Sequence, residues 1–158
     1  MTEETFNPRE NVTEGINIQS WLLNVNNQSI KLDLWDFDGQ KIYYATHQLF
    51  LTRHTLYILV FSIRNYYVAI NHLEFLDYWL HMIEIFGDNS PILIVENKNK
   101  FDERSVDIDH NQQALISKYI NNIKGIFSVS CLTGEGIDDL RDCIKQTGQW
   151  EVYGCQIR

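Results

Sequence analysis

Two runs in this chain, Leu56-Tyr-Ile-Leu-Val-Phe61 and Ile92-Leu-Ile-Val95, contain no charged or amide side chain. A strand with one face in water alternates apolar and polar residues; a strand that is apolar throughout has to be covered on both faces. The covering material is visible in the sequence. From His72 to Phe86 the polar residues Glu74, Asp77, His81 and Glu84 fall on one stripe at steps of three and four, and nearly everything else is apolar, which predicts a helix. A second helix is predicted around Gln112 to Asn122, with Leu115, Ile116, Tyr119 and Ile120 on one side. Ile126 to Val129 reads as the last central strand and Ile137 to Ile144 as the last helix. Strand and helix thus alternate three times, which predicts an α/β fold with a mostly parallel sheet and helices on both faces. At 158 residues the chain is one domain with room for a real core.

Upstream, residues 1–15 show no periodicity, carry Pro8 and Gly15, and read as a flexible lead-in. Ile16, Ile18, Trp21, Leu23 and Val25 fit a strand, and Asn24, Asn26 and Asn27 supply turn chemistry before the next one. There Ile30, Leu32 and Leu34 alternate with Lys31 and Asp33, so an antiparallel hairpin is expected. The domain proper spans 16–147. The tail 148–158 holds Trp150, Val152 and Tyr153 without a period and is either a terminal strand or a stub toward a following domain. In the helix at 72–86, Leu73, Leu76, Leu80 and Ile83 suffice to cover a sheet. Phe75, Tyr78, Met82 and part of Trp79 are left for a thicker core or for a partner.

A formal charge of −8 and a pI near 5.0, without a cluster of lysines or arginines, argue against nucleic acid or an anionic membrane as partner. Cys131, Cys143 and Cys155 are odd in number and form no C-x-x-C pair, which predicts free thiols in a reducing cytoplasm. The polar, acidic amino terminus is unlike a signal peptide, and no stretch is apolar for long enough to cross a bilayer. His47 and His54 have no metal-site spacing, and no Ser/His/Asp or Cys/His signature is present.

Chemistry gathers at the carboxyl ends of the predicted strands, the edge where ligands bind in parallel α/β sheets. The Ile30 strand ends on Asp36, followed by Asp38, Gly39 and Gln40. A carboxylate there can hold Mg²⁺, a glycine amide can meet a terminal phosphate, and a glutamine can orient an attacking water. The Ile92 strand ends in Glu96-Asn97-Lys98-Asn99-Lys100. The Ile126 strand runs into Ser130-Cys131-Leu132-Thr133-Gly134-Glu135-Gly136, a strand-to-helix turn with glycines for special backbone angles and Asp138 in the first helical turn.

Together with Tyr43-Tyr44-Ala-Thr-His47-Gln-Leu-Phe-Leu-Thr, these motifs resemble those of Roc domains, the Ras-like domains of Roco proteins, over roughly residues 11–147. The resemblance implies a GTP/GDP-binding regulatory switch. By it, Asp36 holds Mg²⁺, Gly39 senses the third phosphate, Gln40 faces the water, and Asn97, Lys98 and Cys131 hold the base, Cys131 lending its amide to the guanine carbonyl from the fifth motif that begins at Ser130. Thr13, just before the first strand, stands where the family places the Mg²⁺-binding threonine of its first switch. A COR-type domain is the implied protein partner, with a homo-oligomer through the helix 72–86 as the other possibility.

The pattern is incomplete in two places. Lys100 stands where the family has an aspartate that accepts two hydrogen bonds from guanine, and a cation accepts none; Asp102 and Glu103 are the carboxylates nearest to replace it. No G-x-x-x-x-G-K-[ST] occurs, and between Met1 and Thr13 there is no room for the strand, phosphate loop and helix that open a Ras-like domain. Each lost charge-assisted contact is worth roughly 1.5–3 kcal/mol, so hydrolysis by this chain alone is not expected. In the Ras-like order the absent strand lies between the Ile30 and Leu56 strands, which must then pair directly, in parallel, or leave a slot. Three readings follow: a Roc-type domain as a fragment or truncated form, a nucleotide-free interaction module, and a half-site completed by another chain's phosphate loop.

Overall fold

The computed structural model describes residues 15–25, 28–37, 48–61, 66–98, 110–147 and 156–157. Strands β1 (Ile16–Val25) and β2 (Gln28–Phe37) form the expected antiparallel hairpin, paired along their whole length from Ile16 with Phe37 to Val25 with Gln28. A 3₁₀ turn, Gln48–Phe50, precedes β3 (Tyr57–Phe61). Then come α1 (Tyr66–Gly87), β4 (Ile92–Asn97), α2 (His110–Lys118), β5 (Ile123–Val129), α3 (Ile137–Thr147) and the two-residue β6 (Gln156–Ile157).

The strands form two three-stranded sheets, β1-β2-β6 and β3-β4-β5. The second is wholly parallel, Tyr57 pairing with Ile92 and Ile94 with Ile126. Direct pairing of the Ile30 and Leu56 strands is therefore not what the chain does: among the described residues β2 and β3 share no ladder. Backbone pairing needs strands about 4.8 Å apart. The two sheets instead meet through side chains, Leu23 and Leu32 sharing a core with Leu56, Leu93, Val95, Val129, Leu140 and Ile144. The second edge of β2 is taken by β6, parallel, at Asp33 and Leu34.

The continuous apolar runs behave as their composition requires. In β4 every residue from Ile92 to Glu96 is buried, between that first core and a second one on the opposite face. The second core joins Tyr57, Leu59, Ile92 and Ile94 to Leu76, Leu80 and Ile83 of α1 and to Tyr119 after α2. α1 begins six residues before the helix read from the sequence. Its surplus aromatics are partly absorbed, since Phe75 and Trp79 pack against the second core and Tyr78 accepts a hydrogen bond from Gln48, while Ile85 and Phe86 are exposed. Asp77 ties α1 to α2 by accepting from the Tyr119 hydroxyl at 3.1 Å and pairing with Lys118 at 3.4 Å. Burial raises the Tyr119 phenol above its ordinary pKa.

Two local expectations are corrected. Among the described residues β5, read from sequence as a central strand, pairs only with β4 and shows the alternating burial of an edge strand. α2 stops at Lys118, and Ile120, placed by periodicity on the buried side, is exposed in the turn that follows. The crossover into β3 is fixed by one side chain: the Tyr57 hydroxyl donates to the Thr52 carbonyl at 2.7 Å and accepts from the Thr52 N–H at 2.8 Å.

Candidate functional site

Parallel pairing of Glu96 with Ser128 and of Asn97 with Val129 brings the ends of β4 and β5 level. Lys98 N–H closes the last rung on the Val129 carbonyl at 2.7 Å. Beside it the buried Glu96 carboxylate accepts from the Ser128 hydroxyl at 3.1 Å. Past the rung, Asn97 Oδ1 accepts the Cys131 N–H at 3.1 Å, so the loop after β5 is bonded to the last residue of β4.

The turn 130–136 is tightly specified. Ser130 N–H donates to the Glu135 carbonyl at 2.9 Å, Gly134 N–H to the Ser130 carbonyl at 2.8 Å, and Thr133 N–H to Ser130 Oγ at 3.3 Å. Gly134 and Gly136 have φ of 80° and 72°, in the left-handed region that favours glycine. A Cβ on Gly136 would also lie 2.6 Å from the Ser128 carbonyl oxygen. The turn then launches α3, with Asp138 and Asp139 in its first turn, where carboxylates suit the helix dipole.

Electrostatics at this edge centre on Lys98, whose ammonium pairs with Glu135 at 3.0 Å. The Cys131 thiol is pushed above its ordinary pKa by burial, because the sulfur is shielded although the residue as a whole reaches solvent.

The structure thus joins Asn97, Lys98, Ser130 and Cys131 in one bonded set. Asp36 stands in the neighbouring sheet, at the end of β2, in register with Asn17 and on the same side of the strand as Leu32 and Leu34. Thr13, Asp38, Gly39, Gln40, His47, Lys100, Asp102 and Glu103 lie outside the described residues, as do Cys155 and the tail residues Trp150, Val152 and Tyr153. Sequence reasoning passed over Glu135 as the variable position between two glycines, and over Glu96 as strand. The only signal for either was a carboxylate next to a motif residue. Among the described residues no group of His, Cys, Asp and Glu could hold a metal by itself, and no helix is long and apolar enough to cross a membrane.

An antiparallel hairpin beside a helix-covered parallel sheet, with motif residues at the carboxyl ends of β2, β4 and β5, defines a Ras-like GTPase-type domain. Comparison with known proteins sharpens this. Residues 1–102 match the family model described as "Ras of Complex, Roc, domain of DAPkinase", and the chain belongs to that Roc family.

The chain is 35% identical over 144 residues to the probable serine/threonine-protein kinase roco5 of Dictyostelium discoideum, covering 88% of this chain and 5% of that protein. It is 30% identical over 114 residues to a Roc-COR-CHAT protease of Runella zeae, covering 68% of this chain and 11% of the other. Among solved structures, that of Methanosarcina barkeri Roco2 RocCORdC bound to GDP is similar with a TM-score of 0.68 and 37% identity, over 89% of this chain and 40% of that one. The chain therefore spans a small part of the curated relatives it matches.

Proposed function

We propose that this chain supplies the base-reading side of a Roc guanine-nucleotide site, and that it does not hydrolyse GTP on its own. The observation that carries the reading is the bond from Cys131 N–H to Asn97 Oδ1. With its oxygen accepting that N–H, the Asn97 amide keeps its NH₂ as the group that can donate to a purine acceptor. Lys98, held at the same strand end by Glu135, offers its aliphatic stem to the flat face of a base. The donor set fits a base. It departs from the family pattern at Cys131, whose N–H is shared with Asn97, and at Lys100, which cannot accept from guanine.

Asp36, with Thr13, would hold Mg²⁺, which when bound neutralises phosphate charge. Gly39 would meet the third phosphate and Gln40 would orient water. Ser130 braces the turn that presents Cys131, through its oxygen on Thr133 N–H. With no lysine and no nest of amides from a phosphate loop in this sequence, phosphate affinity and transition-state stabilisation have to come from elsewhere. A COR-type domain is the protein partner this reading assigns, in the cytoplasm.

Titration of the purified chain with fluorescent GDP and GTP, with and without Mg²⁺ and with ATP as competitor, tests this reading. No binding below millimolar concentration and no turnover are expected. Micromolar, Mg²⁺-dependent, guanine-selective binding by the chain alone would overturn it. A second reading, a nucleotide-free interaction module, is favoured by the outward face of the hairpin. There Ile18 and Leu22 are exposed, and Trp35 and Phe37 lie tilted against Phe50 of the 3₁₀ turn at ring-centroid distances of 5.9 and 6.0 Å, next to Leu49, which is 80% exposed. In the third reading, the half-site, turnover appears only on mixing with a chain that carries a phosphate loop.

A further inference from the structure

Strand β3 has the composition of a strand with neighbours on both sides, yet among the described residues it pairs on one side only, with β4. The phase of that ladder fixes which backbone groups it uses. Tyr57 N–H donates to the Pro91 carbonyl at 2.9 Å, so Tyr57, Leu59 and Phe61 turn their N–H and C=O toward β4. Ile58 and Val60 turn theirs to the other edge, where no ladder forms among the described residues. A strand edge is ordinarily blunted by charge, proline or a bulge. The run Tyr57–Phe61 has no charge and no proline, and its register with β4 is regular. Ile58 packs against the core that holds Leu32 and Leu56, and Leu59 lies in the core under α1, so apolar material flanks the edge on both faces. Val60 marks where that cover stops: it is 54% exposed, while Val95, its ladder partner, is 1% exposed.

We propose that this edge of β3 is a strand-acceptor site for an extended, uncharged segment of another polypeptide, apolar on both of its faces. The chemistry of the edge selects that occupant. The N–H and C=O groups of Ile58 and Val60 repeat at roughly 7 Å along the strand, a spacing that an extended backbone matches. An incoming residue level with Val60 lies on the face of the first core and one level with Leu59 on the face of the second, so a charge at either position is desolvated. A segment that alternates apolar and charged residues therefore does not fit. The outer strands that a second copy of the chain offers, β1 and β5, carry Asn17 and Gln19, and Lys124 and Ser128, and meet that requirement poorly. The inference needs no nucleotide, so it stands or falls separately from the base-reading site.

The test uses the full chain, its Val60→Pro variant and a fluorescent peptide that carries the chain's own Ile92–Val95 sequence between solubilising lysines, a segment apolar on both faces. Proline at 60 removes an N–H that points away from β4, so the β3–β4 ladder survives it, and continued protection of the Leu59 amide confirms this. Before peptide is added, the Ile58 and Val60 amides should exchange at least about tenfold faster than the Leu59 amide between them. With peptide they should slow about tenfold or more. The peptide should bind the full chain at least about tenfold more tightly than the variant, and a version carrying Leu93→Asp should bind neither. Equal protection of Ile58, Leu59 and Val60 in the free chain, or equal binding of the peptide to chain and variant, would overturn the proposal. So would protection of Ile58 and Val60 that rises with chain concentration alone, which assigns the edge to a second copy.

Discussion

Lys98 Nζ and Glu135 Oε1 are 3.0 Å apart across the gap between the end of β4 and the turn after β5. The lysine side chain is 22% exposed and the glutamate 65%, so solvent screens the pair and its worth in stability is about 0–1 kcal/mol. Its consequence is positional. Glu135→Gln is expected to change unfolding free energy by less than about 1 kcal/mol while freeing the ammonium. The rate of reductive methylation at Lys98, followed by mass spectrometry, should rise in that variant and stay unchanged in Glu84→Gln, a carboxylate on α1.

Gly134 and Gly136 separate two costs that are usually mixed. Both have positive φ, but a Cβ at Gly134 meets nothing within 4 Å, whereas at Gly136 it meets the Ser128 carbonyl oxygen at 2.6 Å. Gly134→Ala should therefore cost only the backbone term, about 1–2 kcal/mol. Gly136→Ala should cost more than that, because the clash is with backbone that cannot yield without disturbing β5. Urea unfolding of the two variants measures the difference.

Tyr57 is almost wholly buried, and its hydroxyl both donates to and accepts from the Thr52 backbone. Tyr57→Phe keeps the ring and removes both hydrogen bonds to the Thr52 backbone. A loss of about 1–3 kcal/mol is expected, with faster amide exchange at Thr52. A change below about 0.5 kcal/mol would mean that water replaces the hydroxyl.

The Cys131 thiol has its pKa raised by burial. Iodoacetamide should label Cys131 with a pH midpoint above that of an unfolded thiol, in a chain where Cys143 and Cys155 are serines. The stability linkage has a definite sign. A thiol whose folded pKa lies above its unfolded one holds its proton longer when folded, so its contribution is full below the unfolded value and is lost as pH rises through the folded one. Unfolding midpoints should fall on the alkaline side, and Cys131→Ser should remove that part of the slope.

Local pattern carried much of this protein. The uniform apolarity of 56–61 and 92–95 dictated strands covered on both faces, and alternation at Ile30, Leu32 and Leu34 dictated the hairpin's buried side. The glycines at 134 and 136 marked a turn that only they fill well. The start of α1 was not legible, because Tyr66-Tyr-Val-Ala-Ile-Asn has no polar stripe and its β-branched and aromatic residues favour a strand as much as a helix. For the candidate site, position at strand ends singled out Asn97, Lys98 and Cys131, but the bond from Cys131 to Asn97 and the pairing of Lys98 with Glu135 joined residues more than thirty positions apart. The same holds for the split into two sheets and for the return of residues 156–157 to β2. Periodicity records which side of an element faces apolar surroundings, and that is a local property. Which strand edge meets which, and which donor reaches which acceptor, depends on distances set by the packed core, so only the tertiary structure decided them.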